Sequence, residues 1–147
     1  MAHRSDSLIQ REAESLIRHK VAAVIGRQLE PATVSLDTGA SVQVDGVAAD
    51  ESVLVEIFAH HGKLKPGQQK KVALDAFKLV TLGRSRPDAQ LVLAFADDDA
   101  AAYALGKGWL SEALTSWGVE VVVIDLDEEA REKIRAAQDL QEMRNPR

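Results

Sequence analysis

The chain contains no cysteine, which excludes disulfides, thiolate zinc sites and cysteine nucleophiles together. It has no apolar run approaching the roughly 20 residues that a membrane helix requires, and no basic-then-apolar leader of the secretory kind. A cytoplasmic protein with no membrane partner is the expectation. Excess positive charge is absent as well. The formal net charge is −5, which opposes general adhesion to polyanions, so any DNA or RNA binding has to come from a local basic patch. Internal repeats, linkers and low-complexity segments are also missing.

What is present is a composition of 46% hydrophobic and 28% charged residues over 147 positions, enough for one core and too little for two. Residues 1–147 are therefore expected to form a single domain. A basic patch does exist: five of the eight lysines, Lys63, Lys65, Lys70, Lys71 and Lys78, fall within sixteen residues.

Periodicity divides the chain into elements. Apolar residues from Ile9 to Leu29 recur at helical spacing, with Asp6 or Ser7 as N-cap and Pro31 as the stop. Alternation on either side of Asp37-Thr38-Gly39 predicts a hairpin of strands near 33–37 and 41–45. Residues 52–59 form a continuous apolar run, as in a strand buried on both faces, broken only by Glu56. Pro66-Gly67 opens a helix to about Gly83, whose apolar stripe reads as Gln69, Val72, Ala73, Ala76, Phe77 and Val80. Strands "QLVLAFA" and "VEVVVID" follow, joined by a helical stretch from Asp97 to Trp117 with a break at 106–108, in which Trp109 and Trp117 read as core. A charged helix from Asp127 to about Met143 has a thin apolar stripe that suggests a peripheral position. The order is α-β-β-β-α-β-α-β-α, an antiparallel hairpin start followed by crossovers that make the later pairings parallel. The fold class is α/β, a three-layer mixed sheet.

Residues two apart in a strand share a face, so Leu54, Glu56, Phe58 and His60 point one way and Val53, Val55, Ile57 and Ala59 the other. Gln43 and Asp45 share a face of the neighbouring strand. If the two faces coincide, Asp45 and Glu56 converge, and a pair of hard carboxylate oxygens is the usual partial shell of Mg²⁺. His60 and His61 point to opposite faces, which argues against joint metal ligation. Each feature also has a plain structural reading. Asp45-Gly46 is a familiar turn dipeptide, Glu56 can pair with a lysine, and the lysine cluster can be a solvated helix start.

Asp45 at the end of the second strand, Glu56 eleven residues later in the third, and a helix that returns polar groups to them resemble the PD-(D/E)XK nuclease superfamily. The family's helix, three strands, helix and strand match the order of elements from about residue 7 to 96. The resemblance implies a restriction-endonuclease-like core and a Mg²⁺-dependent nuclease, with Mn²⁺ as substitute, that cleaves phosphodiester bonds of nucleic acid. It implies Asp45 and Glu56 as catalytic metal ligands and Gln69 as the glutamine many members carry on the following helix. Val44 stands in the place of the motif's proline and Phe58 in that of its lysine. Some members move that lysine to the following helix, where Lys70 is the substitute, with Lys63 and Lys65 available for phosphate. Two alternatives stay open: a catalytically inactive nuclease-like domain that binds nucleic acid or protein, and an α/β protein that assembles as a homo-oligomer through its charged outer helices.

Overall fold

The computed structural model describes residues 2–144. Helix α1 (Ala2–Ile25) precedes strands β1 (Glu30–Ser35), β2 (Ser41–Val47) and β3 (Val53–Phe58). Then come α2 (Pro66–Gly83), β4 (Gln90–Phe95), α3 (Asp98–Leu105), α4 (Trp109–Ser116), β5 (Val119–Val123) and α5 (Glu128–Arg144). The five strands lie side by side in chain order; β1, β2 and β3 pair antiparallel, while β3, β4 and β5 pair parallel. This is the expected mixed sheet, with the expected break between α3 and α4.

Local signals account for most of the boundaries. The β1–β2 hairpin closes through Leu36 N–H to Ala40 O at 2.7 Å, with Gly39 at φ +94°, a conformation costly for any residue with a side chain. Asp97 caps α3 by accepting the Ala100 N–H, and Asp127 caps α5 by accepting the Ala130 N–H at 2.8 Å. Helix α1 departs from expectation at both ends. Asp6 and Ser7 lie inside it, and it stops at Gly26 (φ +80°), whose N–H bonds Ala22 O, so a left-handed cap ends it before Pro31 is reached.

Two cores lie on opposite faces of the sheet. Leu54 and Phe58 of β3 pack with Val72, Leu79 and Leu82 of α2, Ala100 and Ala104 of α3, and Leu110 and Leu114 of α4. Val53, Val55 and Ile57 pack with Ala13, Ile17 and Val21 of α1 and Ala130 and Ile134 of α5. The alternation of β3 is thus as expected, but α5 is not peripheral. Its narrow stripe suffices because it meets α1 and the sheet rather than the sheet alone.

Two further expectations are corrected. Trp109 and Trp117 are 72% and 67% exposed, and Leu110 and Leu114 are the residues that anchor α4 in the core. At about 100° per residue, the stripe of α2 is centred between Asp75 and Leu79, roughly a quarter-turn from where counting Phe77 and Val80 places it. The buried residues are Val72, Asp75, Ala76, Leu79 and Leu82, and Phe77 is 73% exposed. Binary pattern misplaced the face because Asp75 is polar yet buried and Phe77 apolar yet outside. Leu79→Ala should therefore lower unfolding free energy by about 2–5 kcal/mol, whereas Phe77→Ala should stay within about 0.5 kcal/mol of the parent; urea denaturation of both variants measures the contrast.

Candidate active site

The site begins with a defect in the sheet. Between the Glu30–Val47 and Ala32–Val44 pairs, β1 supplies one residue, Pro31, while β2 supplies two, Asp45 and Gly46. Proline has no N–H to give the ladder, so a bulge there sacrifices no donor on that side. The extra residue changes the phase of β2: Val42, Val44 and Val47 all serve the core beneath α2, an odd step that uninterrupted alternation forbids. Asp45 takes the phase of Val47 and so shares the face of Glu56. The two acids do meet as expected, but through the bulge rather than through uninterrupted alternation.

From the other side, β2 and β3 pair at Val47–Leu54 and Gly46–Val55; the same register sets Asp45 opposite Glu56. There the backbone ladder ends. Asp45 Oδ2 accepts the Ile57 N–H at 2.9 Å, so a carboxylate replaces the backbone carbonyl and is held between the separating strands.

Glu56 is 2% exposed, within a strand buried along its whole length. Burial pushes its carboxyl up to about 8, and the adjacent Asp45, within hydrogen-bonding reach, adds to the shift, while Lys78 opposes it. Lys78 Nζ lies 2.7 Å from Glu56 Oε1 and donates to Gln43 O at 2.8 Å. At that distance the ammonium is a charge-assisted partner of Oε1, an oxygen itself shut off from solvent. Lys71, two turns earlier, bonds Asp75 Oδ2 at 3.0 Å and has its ammonium 5.5 Å above the Phe58 ring. Burial disfavours the Lys71 ammonium, but the hydrogen bond and charge of Asp75, with the charges of Asp45 and Glu56, outweigh it and raise its pKa. Glu14 of α1 is half-buried; burial raises its pKa first and the charge of Asp45 second, against Arg18 and Lys71.

The residues expected at the site divide. Asp45 and Glu56 come together. Lys70 does not join them: it is exposed and makes no hydrogen bond or ion pair among the described residues, because Lys71, Asp75 and Lys78, at i, i+4 and i+7, occupy the helix edge that faces the acids. Gln69 is spent on the loop, donating from Nε2 to Leu64 O at 3.3 Å. Lys63 is exposed, and Lys65 is exposed with Glu142 at 3.9 Å. The histidines part as alternation requires. His60 meets Gln68 at 3.0 Å, its pKa lowered by burial, while His61 stands 3.6 Å from Asp97, donates its backbone N–H to Gln138 Oε1 and accepts from Gln138 Nε2 at its carbonyl.

Sequence reading missed Glu14, Lys71, Asp75 and Lys78. An available signal was the i, i+4, i+7 spacing of Lys71, Asp75 and Lys78, a charged stripe beside an apolar one. Among the described residues no three histidine, aspartate or glutamate side chains enclose a point suited to a metal ion, so a cation here would rest on two carboxylates. Compared with protein-family models, curated proteins and solved structures, the chain returns no match.

The raised Glu56 pKa has a consequence for stability. A carboxyl that titrates near 8 when folded and at its ordinary value of 4.5 otherwise binds more protons in the native state between those pH values. Its contribution to stability is therefore complete below about pH 4.5 and lost as pH rises toward 8. In EDTA, the denaturation midpoint of the parent should fall across this window, and Glu56→Gln should flatten the slope; parallel slopes would reject the assignment.

Proposed function

We propose that the chain is a Mg²⁺-dependent nuclease, a divergent relative of the PD-(D/E)XK superfamily with a restriction-endonuclease-like core. The observation that carries the reading is the convergence of Asp45 and Glu56 at a sheet opening, with ammonium groups delivered from the following helix. The order of α1, β1, β2, β3, α2 and β4 follows the core that the resemblance implies. Lys71 supplies from α2 the cation that Phe58 cannot, and its ammonium lies over the Phe58 ring itself.

The donor set fits the metal. Two hard carboxylates brought together at the sheet opening suit an ion that keeps several waters and takes only one or two protein carboxylates. Asp45 and Glu56 would hold Mg²⁺ or Mn²⁺, which when bound supplies Lewis-acid activation of water and stabilises the charge on the leaving oxygen. Lys78, anchored on Gln43 O, orients Glu56. Lys71, oriented by Asp75, offers its charge to a phosphate oxygen, and Lys63 and Lys65 extend the basic surface toward the backbone of DNA or RNA.

A second reading has its own observation. Phe58 is buried and stacked on Phe95 at 5.1 Å, and Lys78 already neutralises Glu56, as in a nuclease-like domain that binds nucleic acid or protein without cleaving. No helix among the described residues is long and apolar enough to cross a membrane, which leaves both readings in place.

Incubation with labelled single-stranded, duplex and branched DNA and with RNA separates them. Cleavage is expected in Mg²⁺ or Mn²⁺, absent in EDTA and absent in Glu56→Ala. Lys71→Ala should slow it by about 10²–10³-fold, and Lys70→Ala should leave it near the parent rate. Cleavage that persists in Glu56→Ala indicates contamination, and binding without cleavage in any metal gives the second reading.

A further inference from the structure

The sheet has two edges of different character. At β1 the edge is blunted: Pro31 and the bulge interrupt it, Glu30, Thr33 and Ser35 are exposed along it, and Arg86 donates to Ser35 O at 2.9 Å. Such devices keep an edge strand from pairing. At the other edge β5 has none of them. It contains no proline, lysine or bulge, and four of its five residues are valine.

The unpaired backbone groups of β5 follow from its register. Ile124 N–H donates to Phe95 O at 2.8 Å, so residue 124 points at β4, and with a period of two Val122 and Glu120 point there as well. Val119, Val121 and Val123 therefore turn both N–H and C=O away from the sheet, where they make no hydrogen bond among the described residues.

These three residues are symmetric about Val121, and that symmetry selects the occupant. A second β5 laid antiparallel across a twofold axis at Val121 pairs Val121 with its own copy and Val119 with Val123 of the second copy. About six backbone hydrogen bonds form and none of the three residues is left over. Glu120 then opposes Val122 rather than another Glu120, so no like charges meet in the strand pair. The side chains ask for the same strand. Val121 and Val123 pack against the core beneath α2 and Val122 against the core beneath α1, so a strand that continues the sheet must be apolar on both faces, as β5 is.

Trp117 is a separate observation. It extends the stripe of Leu110 and Leu114 at i, i+4, i+7, yet those two are 4% and 3% exposed and Trp117 is 67% exposed. The stripe of α4 runs past the cover that one copy provides, and the pairing of Val119 with Val123 brings the end of the second β5 beside Trp117. The β1 edge of another copy is a poor alternative, because it meets Pro31 and because a head-to-tail β5–β1 contact leaves an open-ended array.

We infer that the chain forms a homodimer through β5, joining two five-stranded sheets edge to edge in the register centred on Val121. The inference stands apart from the nuclease reading, which cleavage in Mg²⁺ decides.

Sedimentation velocity of the purified chain at micromolar concentration should show a dimer. The absence of cysteine makes crosslinking a test of register. Val121→Cys should form an intermolecular disulfide on mild oxidation, because a hydrogen-bonded antiparallel pair sets Cα atoms about 5.5 Å apart, inside the roughly 4.4–6.8 Å that a disulfide spans. Val123→Cys alone should not crosslink, whereas Val119→Cys mixed with Val123→Cys should. Val121→Pro removes an N–H that faces outward and spares the β4 ladder, so it should be monomeric with the far-UV circular dichroism of the parent. A monomeric parent, the result expected if β5 serves a strand of a different protein, would overturn the inference. So would a folded Val121→Pro that still dimerises, or a dimer in which Val123→Cys crosslinks to itself and Val121→Cys does not. If Val121→Pro fails to fold, the cysteine pattern alone decides.

Discussion

The structure is organised around one carboxylate enclosed in its central strand. Glu56 sits in β3, a strand with no exposed residue, between two cores and with two strands on each side. An ionised carboxylate there is costly unless compensated, and nearly every polar contact nearby bears on that cost. Lys78 pairs with it, Gln43 O holds Lys78, Asp75 lies near the same ammonium at 3.9 Å, and the raised pKa lets a proton stand in for a cation when none is bound. A buried ion pair of this kind is weak support for stability, since a well-packed hydrophobic residue usually serves a core at least as well. The proposed metal role gives the acid a use that packing does not.

The second carboxylate depends on an irregularity of the backbone. One extra residue opposite Pro31 resets the phase of β2, turns Asp45 to the side of Glu56 and ends the β2–β3 ladder at Gly46–Val55. The Asp45 carboxylate then takes over the Ile57 N–H that the ladder no longer pairs, so the opening leaves no orphaned donor there. A bulge thus performs three tasks that a regular strand could not combine: it aims a side chain, opens the sheet and satisfies the exposed backbone.

Helix α2 links this centre to the surface because its faces do different work. Val72, Ala76, Leu79 and Leu82 bind it to the sheet. Lys71, Asp75 and Lys78 form an ionic edge along the acids. Leu74 and Phe77 face solvent. Since a helix rotates by about 100° per residue, 18 residues are enough to pack, to balance charge and to present a ridge, and the three faces cannot shift relative to one another.

Composition and periodicity already specified a good deal: an α/β chain, the order of its strands and helices, the ends of α2, the alternation of β3 and the pairing of Asp45 with Glu56 as the acids to watch. These were legible because periods of 2 and 3.6 are local properties, and a charged residue inside an apolar run stands out wherever the strand lies. The ionic edge of α2, the contribution of Glu14, the exposure of Phe77, Trp109 and Trp117, and the packing of α5 against α1 were not legible. Each depends on which side of an element another element covers. A helix with apolar groups on more than one side does not declare its buried face, and the phase of β2 turns on a single residue whose displacement exists only relative to β1. Local pattern therefore named the acids, and packing chose the lysines that face them.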